Sequence, residues 1–409
     1  MYRTGFEYDI AIVGGGASGL MAAALASGNG KRVVLLEKND ACGKKLLLTG
    51  KGKCNITNTR EWEEFSEHVH PNAEFFKPAF LGFSNNDTIG FFNSIGLETV
   101  CERGQRVFPK SGKSTDVRDT LLRRITASDN VTVMTGTEVT SIRKENSKYL
   151  LSILHHRKIY SMNVITASRI LIATGGLSYP LTGSTGDGYR FAEAFGHRIA
   201  DTHPSLTALV PAIDFTGLIG LTLRNVTLSL FIDGGMVQSE FGEMTFTNGG
   251  LEGALGFRVS RNAVSALVSG KRVDVSVDLK PALTAEQIKQ RIQREYTRDV
   301  KFCTYLEKML PVQVIQPFVT TSKGLCINNL PVRIKNWKFG IKGYVDYSRA
   351  VITTGGVSLQ DISRKTMESR ICPGMYFIGE VMDLDADTGG YNLQIAFSTA
   401  AAAIKAASL

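Results

Sequence analysis

Residues 8–20 read YDIAIVGGGASGL and combine three features that decide the fold. The apolar, partly β-branched run at 8–13 is typical of a buried parallel strand. It leads directly into Gly14, Gly16 and Gly19, which fit the pattern GxGxxG, and the Ala-rich residues 20–27 that follow are typical of a helix. The sequence therefore predicts a strand, a tight glycine turn and a helix, which together begin an α/β domain of the Rossmann type.

An acidic residue completes this pattern, because a second apolar strand predicted over 32–36 ends at Glu37. In such units the second glycine lets the backbone approach a pyrophosphate, which the helix N-terminus stabilises by about 0.3–2 kcal/mol. The acid accepts hydrogen bonds from both hydroxyls of the adenine ribose. A glycine-rich turn alone occurs in many α/β proteins, but strand, turn, helix and acid together predict dinucleotide binding.

The segment after Glu37 indicates which dinucleotide the protein binds. A nicotinamide dehydrogenase normally continues with another βαβ half, whereas this chain continues with GKKLLLTGKGKCNITN at 43–58. That stretch is no triphosphate loop, because neither Gly-Lys pair completes GxxxxGK[ST]. Its position fits a segment that follows FAD from the ribose toward the ring.

Further segments agree with FAD. Two strands are predicted within 130–142, an apolar strand ending in a glycine turn at 169–176, and another ending in Gly-Glu at 374–380. After Gly389 and Gly390 a helix is predicted to begin near Tyr391 or Asn392. Its N-terminus, if aimed at the N1/C2 edge of the flavin, would stabilise the anionic reduced ring.

Composition narrows the class of protein. The 409 residues allow two or three packed domains, and the six cysteines form no CxxC pair, which disfavours a zinc ribbon or a disulfide scaffold. No signal peptide and no run of about 20 apolar residues is visible. We expect a soluble cytoplasmic protein with no metal and no membrane partner. The net charge of +9 suits an acidic cofactor or an anionic substrate as well as a nucleic acid.

The middle of the chain has a different predicted secondary structure from the cofactor domain. SRILIATGGLS at 168–178 resembles SRAVITTGGVS at 348–358, and these two strands are predicted to lead out of the cofactor domain and back, unless the likeness is due to chance. Alternating residues at 226–246 on both sides of Asp233-Gly234 predict a β-hairpin. A helix is predicted over 284–310, with Thr284 and Gln287 as its capping box.

These patterns give the domain organisation. Residues 1–200 and 346–409 are predicted to form the FAD-binding domain, 201–250 and 311–345 an inserted antiparallel β domain, and 251–310 a small helical subdomain. Residues 201–345 contain no second strand-GxGxxG-helix unit. A dedicated NAD(P)H domain is therefore not expected, and a nicotinamide would dock transiently.

The motifs GGGASGL (14–20), the basic stretch at 43–58, STGDGY (184–189) and GEVMDLDADTGGYNLQ (379–394) resemble those of one family. It is the bacterial NAD(FAD)-utilizing dehydrogenase family, the BaiN-like and aminoacetone-oxidase-like flavoproteins. The resemblance implies a glutathione-reductase-like FAD domain with an insert. By position it implies FAD contacts at Gly14, Gly16, Ala17, Ser18, Glu37, Lys38, Lys45, Lys53, Cys54, Asn55, Val139 on the adenine side, Thr174, Gly175, Gly176, Gly379, Glu380, Asn392, Leu393 and Gln394.

One segment departs from the family. Many members resemble T-H-x-G-x-S-G-P in the insert, whereas this chain has TNGGLEGA at 247–254. The His, Ser and Pro are absent, so any role of that segment is not transferred to this chain.

The chemistry expected is hydride transfer to or from flavin N5. Lys51 and Lys53 would favour the anionic reduced ring if they face it, and are solvated surface residues otherwise. Cys54 is interpreted as a small packing residue, because no second cysteine lies at the spacing of a redox pair. No catalytic residue is assigned. Three aspartates are interpreted as helix caps or solvent-facing residues, with a proton relay as the alternative: Asp383, Asp385 and Asp387.

Three functions stay open at this stage. The preferred one is an FAD-dependent oxidoreductase that acts on a small organic substrate, with NAD(P)H or dioxygen as the second substrate. The second is an FAD-dependent tRNA-modifying enzyme, although the basic residues are spread along the chain and no RNA-binding module is evident, so a nucleic-acid partner is not expected. The third is a non-enzymatic flavin-binding regulator.

Overall fold

A computed structural model describes residues 4–155, 162–296 and 301–409. The chain divides into two compact units, Met1–Thr202 with Ile352–Leu409, and His203–Val351. None of the helices in these described ranges is long and apolar enough to cross a membrane.

The strands are β1 (Thr4–Val13), β2 (Val33–Leu36), β3 (Thr57–Asn58), β4 (Val69–His70), β5 (Thr99–Glu102), β6 (Arg106–Pro109), β7 (Val131–Met134), β8 (Thr137–Glu145), β9 (Lys148–His155), β10 (Met162–Ile172), β11 (Ile199–Ser205), β12 (Leu209–Pro211), β13 (Thr222–Ile232), β14 (Gly235–Thr247), β15 (Gly250–Glu252), β16 (Val273–Asp278), β17 (Trp337–Tyr344), β18 (Ile352–Val357), β19 (Met375–Phe377) and β20 (Asp385–Ala386). The α-helices are α1 (Ala17–Ala26), α2 (Lys44–Leu48), α3 (Trp62–Ser66), α4 (Ala73–Gly82), α5 (Asn85–Ser94), α6 (Ser114–Thr126), α7 (Asp187–Ala194), α8 (Gly253–Val268), α9 (Ala285–Glu295), α10 (Phe302–Met309), α11 (Val312–Thr321), α12 (Leu330–Ile334) and α13 (Tyr391–Ala407). Short 3₁₀ turns lie at Thr49–Gly52, Pro180–Thr182, Thr216–Leu218, Leu359–Asp361 and Gly379–Val381.

The first unit is built on one sheet with the strand order β7-β2-β1-β10-β9-β8, and β19 also pairs with β10. Strands β7, β2, β1, β10 and β19 run parallel, whereas β9 and β8 add an antiparallel edge. All four residues of β2 are buried, as expected for a parallel strand covered on both faces. The predicted α/β Rossmann class is confirmed.

Helix α1 packs on β1 and β2 of this sheet and also against α13. Alanines dominate α1, and Ala22, Ala23 and Ala26 have no exposed surface. Small side chains let a helix approach its neighbours closely. This packing brings the first helix of the unit next to the last one, so that residues from both ends of the chain contribute to one region.

The second unit contains a closed barrel with the order β12-β15-β14-β13-β16-β17. Its longest hairpin joins β13 to β14 through Asp233 and Gly234, whose φ angles are 49° and 85°. Two consecutive positive φ angles define the type I′ turn that matches the twist of a hairpin. The hairpin predicted at 226–246 is therefore confirmed.

The helix predicted over 284–310 is wrong as a single element. The capping box is present, since Gln287 N–H donates to Thr284 Oγ1 at 3.1 Å and Thr284 N–H donates to Gln287 Oε1 at 2.8 Å. However, α9 ends at Glu295, its C-cap residue Tyr296 has an extended backbone at φ −92° and ψ 111°, and α10 begins at Phe302. Residues 297–300 lie outside the described residues. The range 251–310 also holds barrel strand β16, and its separation as a helical subdomain stays a prediction.

Candidate functional site

The glycine turn has the geometry that its pattern predicts. A Cβ at Gly19 would lie 1.9 Å from the Gly14 carbonyl oxygen, so only glycine lets α1 touch β1 there. Gly14 has φ +106°, and a Cβ on it would lie 2.5 Å from the Ala173 carbonyl oxygen. By contrast, a Cβ at Gly16 would meet no atom within 4 Å. The third glycine is required by packing, whereas the second faces open space.

That open space lies at the N-terminus of α1. Gly16 is the N-cap residue, no side chain caps the helix, and its first turn contains no acidic residue. The first N–H groups of a helix need partners and carry partial positive charge. The turn is therefore suited to an anion such as a pyrophosphate, in contact with Gly16, Ala17 and Ser18.

Glu37 is held beside the turn at the end of β2, with 7% of its surface exposed. Gly15 N–H donates to Oε2 at 2.8 Å. Asn39 donates to Oε1 through its backbone N–H at 2.8 Å and its side-chain amide at 2.6 Å. A carboxylate has about four acceptor positions, so three protein donors leave room for one ribose hydroxyl. Accepting from both hydroxyls, as predicted, requires Asn39 to release one of its bonds.

Lys38 connects this region to the STGDGY motif. Its Nζ lies 2.6 Å from Asp187 Oδ2 and 2.5 Å from Thr185 Oγ1. Asp187 is the first residue of α7. The ammonium charge is therefore compensated by protein, and Lys38 fixes the motif beside the end of β2.

The basic stretch at 43–58 forms α2 and a tight turn. Lys45 Nζ pairs with Glu380 Oε2 at 2.6 Å, and Thr353 N–H donates to Glu380 Oε1 at 3.0 Å. Two residues predicted as FAD contacts, Lys45 and Glu380, are thus brought together by an ion pair. Lys51 and Lys53 are exposed.

Cys54 and Asn55 close this stretch. Cys54 is fully buried, and burial raises the pKa of its thiol to about 12, so the thiol stays protonated and serves as packing. The side-chain oxygen of Asn55 is buried and has no hydrogen-bond partner within the described chain. A buried acceptor without a partner costs about 1–3 kcal/mol, which a donor on a bound ligand would offset.

The ends of the central strands meet at the same edge. Thr174, Gly175 and Gly176 follow β10, and a Cβ at Gly176 would lie 2.5 Å from Thr353 Oγ1. Gly379 follows β19 with φ +70°, and a Cβ on it would lie 2.8 Å from Ser18 Oγ. In open α/β sheets, ligands bind at the carboxyl ends of the strands. Val139 lies within β8 with 5% of its surface exposed, two residues after Thr137, whose N–H donates to the Glu37 carbonyl at 2.9 Å.

The N-terminus of α13 also lacks a side-chain cap. Gly390 is its N-cap with φ +102°, and a Cβ there would lie 2.5 Å from the Thr57 backbone. No side chain caps the helix, and its first turn contains no acidic residue. Leu393 is partly buried against the hydrophobic core of the first unit.

Two predicted contacts in α13 have side chains that bind protein instead. Asn392 Oδ1 accepts from Ala386 N–H at 2.8 Å, and its amide donates back to the Ala386 carbonyl at 2.7 Å. Gln394 has no exposed surface; its Oε1 accepts from Thr57 Oγ1 at 2.6 Å and its amide donates to Ser398 Oγ at 2.9 Å. Contact with a cofactor at Asn392 would therefore use the backbone, whereas the Gln394 N–H already donates to the Gly390 carbonyl at 3.2 Å and its side chain holds the loop.

The three aspartates neither cap α13 nor face water as a group. Asp385 is 1% exposed, and Asp387 binds two histidines that the sequence analysis did not select. His68 Nδ1 lies 2.9 Å from Asp387 Oδ2, and His70 Nε2 lies 3.5 Å from Asp387 Oδ1. Burial acts to raise the pKa of Asp387, but the hydrogen bonds to His68 and His70 outweigh it and lower the pKa to about 2.

The pairing of β4 with β20 explains why this cluster forms. It sets His70 opposite Asp385 and Val69 opposite Ala386. The partners are 319 residues apart in sequence, and no local pattern signals the contact. No group of His, Cys, Asp and Glu suited to hold a metal ion occurs in the described ranges.

The residues present fit FAD. Two helix N-termini without side-chain caps, the space at Gly16 and the orphaned Asn55 oxygen all lie in the first unit, together with the buried carboxylate of Glu37. An anionic dinucleotide would satisfy donors and an acceptor that the protein leaves without partners.

Comparison with proteins of known sequence supports the same interpretation. The model of the HI0933-like protein Rossmann domain matches residues 8–406. The chain is 30% identical to the 3-dehydro-bile acid delta(4,6)-reductase of Clostridium scindens, over 97% of this chain and 98% of the relative. It is 29% identical to the ribosomal RNA dihydrouridine synthase of Escherichia coli, over 96% of each chain.

Solved structures resemble the fold. A 3-ketosteroid-delta4-(5alpha)-dehydrogenase from Rhodococcus jostii RHA1 superposes with a TM-score of 0.56 at 12% identity, covering 100% of this chain and 98% of that one. An open flavocytochrome c3 fumarate reductase gives 0.52 at 16% identity, covering 99% and 79%. At these identities the likeness shows the fold alone. From the matched family model and the full-length relatives, the chain belongs to the HI0933-like Rossmann family of FAD-binding oxidoreductases.

Proposed function

We propose that this enzyme reduces a carbon–carbon double bond conjugated to a carbonyl group, using reduced FAD. One observation carries the proposal. The two kinds of relative act on chemically different molecules, a 3-oxo steroid and a uridine in RNA, yet both names describe saturation of such a double bond. Both are matched along almost the whole chain, which supports a common site for this chemistry.

The chain's own residues would bind and orient the cofactor. The pyrophosphate would lie at the N-terminus of α1, the adenine ribose at Glu37, and the flavin ring near the N-terminus of α13. The bound flavin supplies the hydride at N5. The partial positive charge at the start of α13 would stabilise the anionic reduced ring. The FAD contacts inferred from the family resemblance are part of this proposal, with Asn392 acting through its backbone and Gln394 holding the loop through its side chain.

The electron donor proposed is NADH or NADPH. A second strand-GxGxxG-helix unit is absent from the sequence of 201–345, so the nicotinamide would dock, transfer its hydride and leave. Dioxygen is the alternative second substrate. In that case the enzyme would be an oxidase, in which the organic substrate is oxidised and dioxygen reoxidises the flavin. A cytoplasmic location, where both nicotinamides are supplied, completes the proposal.

A small organic molecule is the preferred substrate, and a uridine in RNA is the second candidate. The second is favoured by the 29% identity to ribosomal RNA dihydrouridine synthases and by a net charge of +9. Binding to RNA through phosphate contacts weakens steeply with salt. A protein that stays bound to RNA at moderate salt, with an affinity that falls steeply as the salt concentration rises, would favour this candidate.

The experiment uses the purified flavoprotein, reduced anaerobically with dithionite. It is mixed with 4-androstene-3,17-dione in one arm and with ribosomal RNA transcribed in vitro in the other. The proposal predicts reoxidation of the flavin together with a gain of two hydrogens in one of the two acceptors, measured by mass spectrometry. Reoxidation by neither acceptor, with rapid reoxidation by dioxygen, would overturn it. The same protein stripped of FAD is the matched control.

A further inference from the structure

The cluster of His68, His70 and Asp387, here called the His–Asp cluster, is not explained by cofactor binding. Besides the two side-chain contacts of Asp387, its backbone N–H donates to the His68 carbonyl at 3.0 Å. The β4–β20 pairing therefore fixes backbone and side chains together. The side chains of His68 and Asp387 are 23% and 20% exposed. Such a cluster is shielded from solvent but not sealed.

The cluster adjoins the residues assigned to the flavin ring. The imidazole of His68 stacks on the ring of Tyr391, with centroids 4.4 Å apart and planes 26° apart. Tyr391 is the first residue of α13 and precedes Asn392. The Asn392 amide in turn donates to the Asp387 carbonyl at 3.2 Å. His68 and Asp387 thus each contact the first turn of the helix whose N-terminus is proposed to face the flavin.

The orientation of His68 follows from its partner. An ionised carboxylate only accepts hydrogen bonds, so His68 presents its Nδ1–H to Asp387. Its Nε2 is then the atom available for a proton transfer. This is the arrangement in which a carboxylate orients an imidazole for acid–base chemistry.

Reduction of a conjugated double bond requires a proton as well as a hydride. We propose that His68 donates this proton and that Asp387 is the positioning residue that orients it, an inference that rests on the proposed function. The proton from His68 Nε2 would form the C–H bond at the carbon next to the carbonyl, while bound reduced FAD would supply the hydride, and with it two electrons, for the distal carbon. The π bond between the two carbons would break. The neutral imidazole regains its proton from water.

Neighbouring groups fit this role less well. His70 lies farther from Asp387, at 3.5 Å against 2.9 Å, and has no ring contact with Tyr391 among the described aromatic pairs. Asp385 is 1% exposed. Lys45 Nζ donates to both carboxylate oxygens of Glu380, at 2.6 and 2.9 Å, so the two side chains pair with each other.

The test compares His68→Gln and Asp387→Asn with a matched control, Glu67→Gln. Glu67 is exposed, adjoins His68 and loses the same charge as Asp387→Asn. The probe is 2-cyclohexen-1-one, mixed with photoreduced holoenzyme across a pH series. Loss of a general acid slows the proton-dependent step by roughly 10²–10⁴-fold. We expect this fall for His68→Gln with FAD retention unchanged, a smaller fall for Asp387→Asn, and none for Glu67→Gln.

The pH profile separates catalysis from structure. The acid acts when protonated, so the wild-type rate should fall as pH rises, and His68→Gln should lose this limb. The groups that face His68 and shape the profile are Asp387, His70 and Tyr391, with Asp385 opposite His70. A wild-type limb that persists in His68→Gln would overturn the inference while leaving the reductase function intact.

A second readout needs no turnover. The ring signals of His68 are identified in the NMR spectrum of ¹⁵N-histidine-labelled protein by their absence in His68→Gln. We expect them to shift between the FAD-free and FAD-loaded protein, because the ring adjoins the proposed flavin site. If the wild type does not reduce the probe, the proposed function fails on that substrate class, and this shift alone decides whether His68 lies at the site. Unchanged signals would overturn its placement.

Discussion

The distances in the glycine turn predict different effects for Gly19→Ala and Gly16→Ala on the stability of the FAD-free protein. In Gly19→Ala the new Cβ would lie 1.9 Å from the Gly14 carbonyl oxygen, so α1 and β1 must separate by more than 1 Å or distort. Overpacking of this kind costs about 1–3 kcal/mol, and more where backbone must move. In Gly16→Ala the new methyl would meet no protein atom within 4 Å, and φ is already −75°. Its cost to the FAD-free protein should stay within about 1 kcal/mol.

For FAD binding, Gly16→Ala should be the more damaging of the two substitutions. The methyl of Gly16→Ala would occupy the space proposed for the pyrophosphate, and the same overpacking of about 1–3 kcal/mol then weakens binding roughly 5- to 150-fold. The assay is denaturant unfolding of both FAD-free variants, followed by FAD titration monitored through flavin fluorescence. We expect Gly19→Ala to lose stability and Gly16→Ala to lose affinity. A Gly16→Ala protein that binds FAD like the wild type would refute the assignment of this space to the pyrophosphate.

Two further substitutions test the buried carboxylates. Glu37→Arg should lose FAD during gel filtration, because a donor replaces the acceptor proposed to bind the ribose; unaltered FAD content would show that Glu37 does not bind it. Asp387→Asn should destabilise the protein by about 2 kcal/mol near pH 6, since the pKa of Asp387 falls from its ordinary 3.8 to about 2 on folding. This depressed pKa stabilises the fold above about pH 4, so the difference from the wild type should shrink as pH falls toward 2. A pH-independent difference in denaturant unfolding would argue against the ionised pair.

The features predicted correctly depend on short-range physics. In the GxGxxG turn Gly19 approaches the carbonyl of Gly14, five residues earlier, and the Asp233-Gly234 hairpin depends on a turn that requires positive φ. The capping box of α9 likewise joins Thr284 to a residue three positions later. In each case the residue types that make the contact are neighbours in the sequence, so the pattern can be recognised without the fold.

The features that were missed depend on long-range contacts. Lys45 and Glu380 were both selected, but their mutual ion pair, across 335 residues, was not. His68 was not selected because its partner Asp387 follows the distant strand β20, and a histidine before a short strand carries no local signal. The break after α9 was also missed, because the apolar stripe continues past Tyr296 although the backbone there is extended.

This flavoprotein is proposed to pass electrons to a conjugated double bond rather than to dioxygen. Stopped-flow reoxidation of the reduced holoenzyme measures this directly, with 4-androstene-3,17-dione, in vitro ribosomal RNA or dioxygen as the only acceptor. We expect the steroid or the RNA to reoxidise the flavin faster than dioxygen does and to gain two hydrogens. Fast reoxidation by dioxygen, with neither organic acceptor reduced, would contradict it.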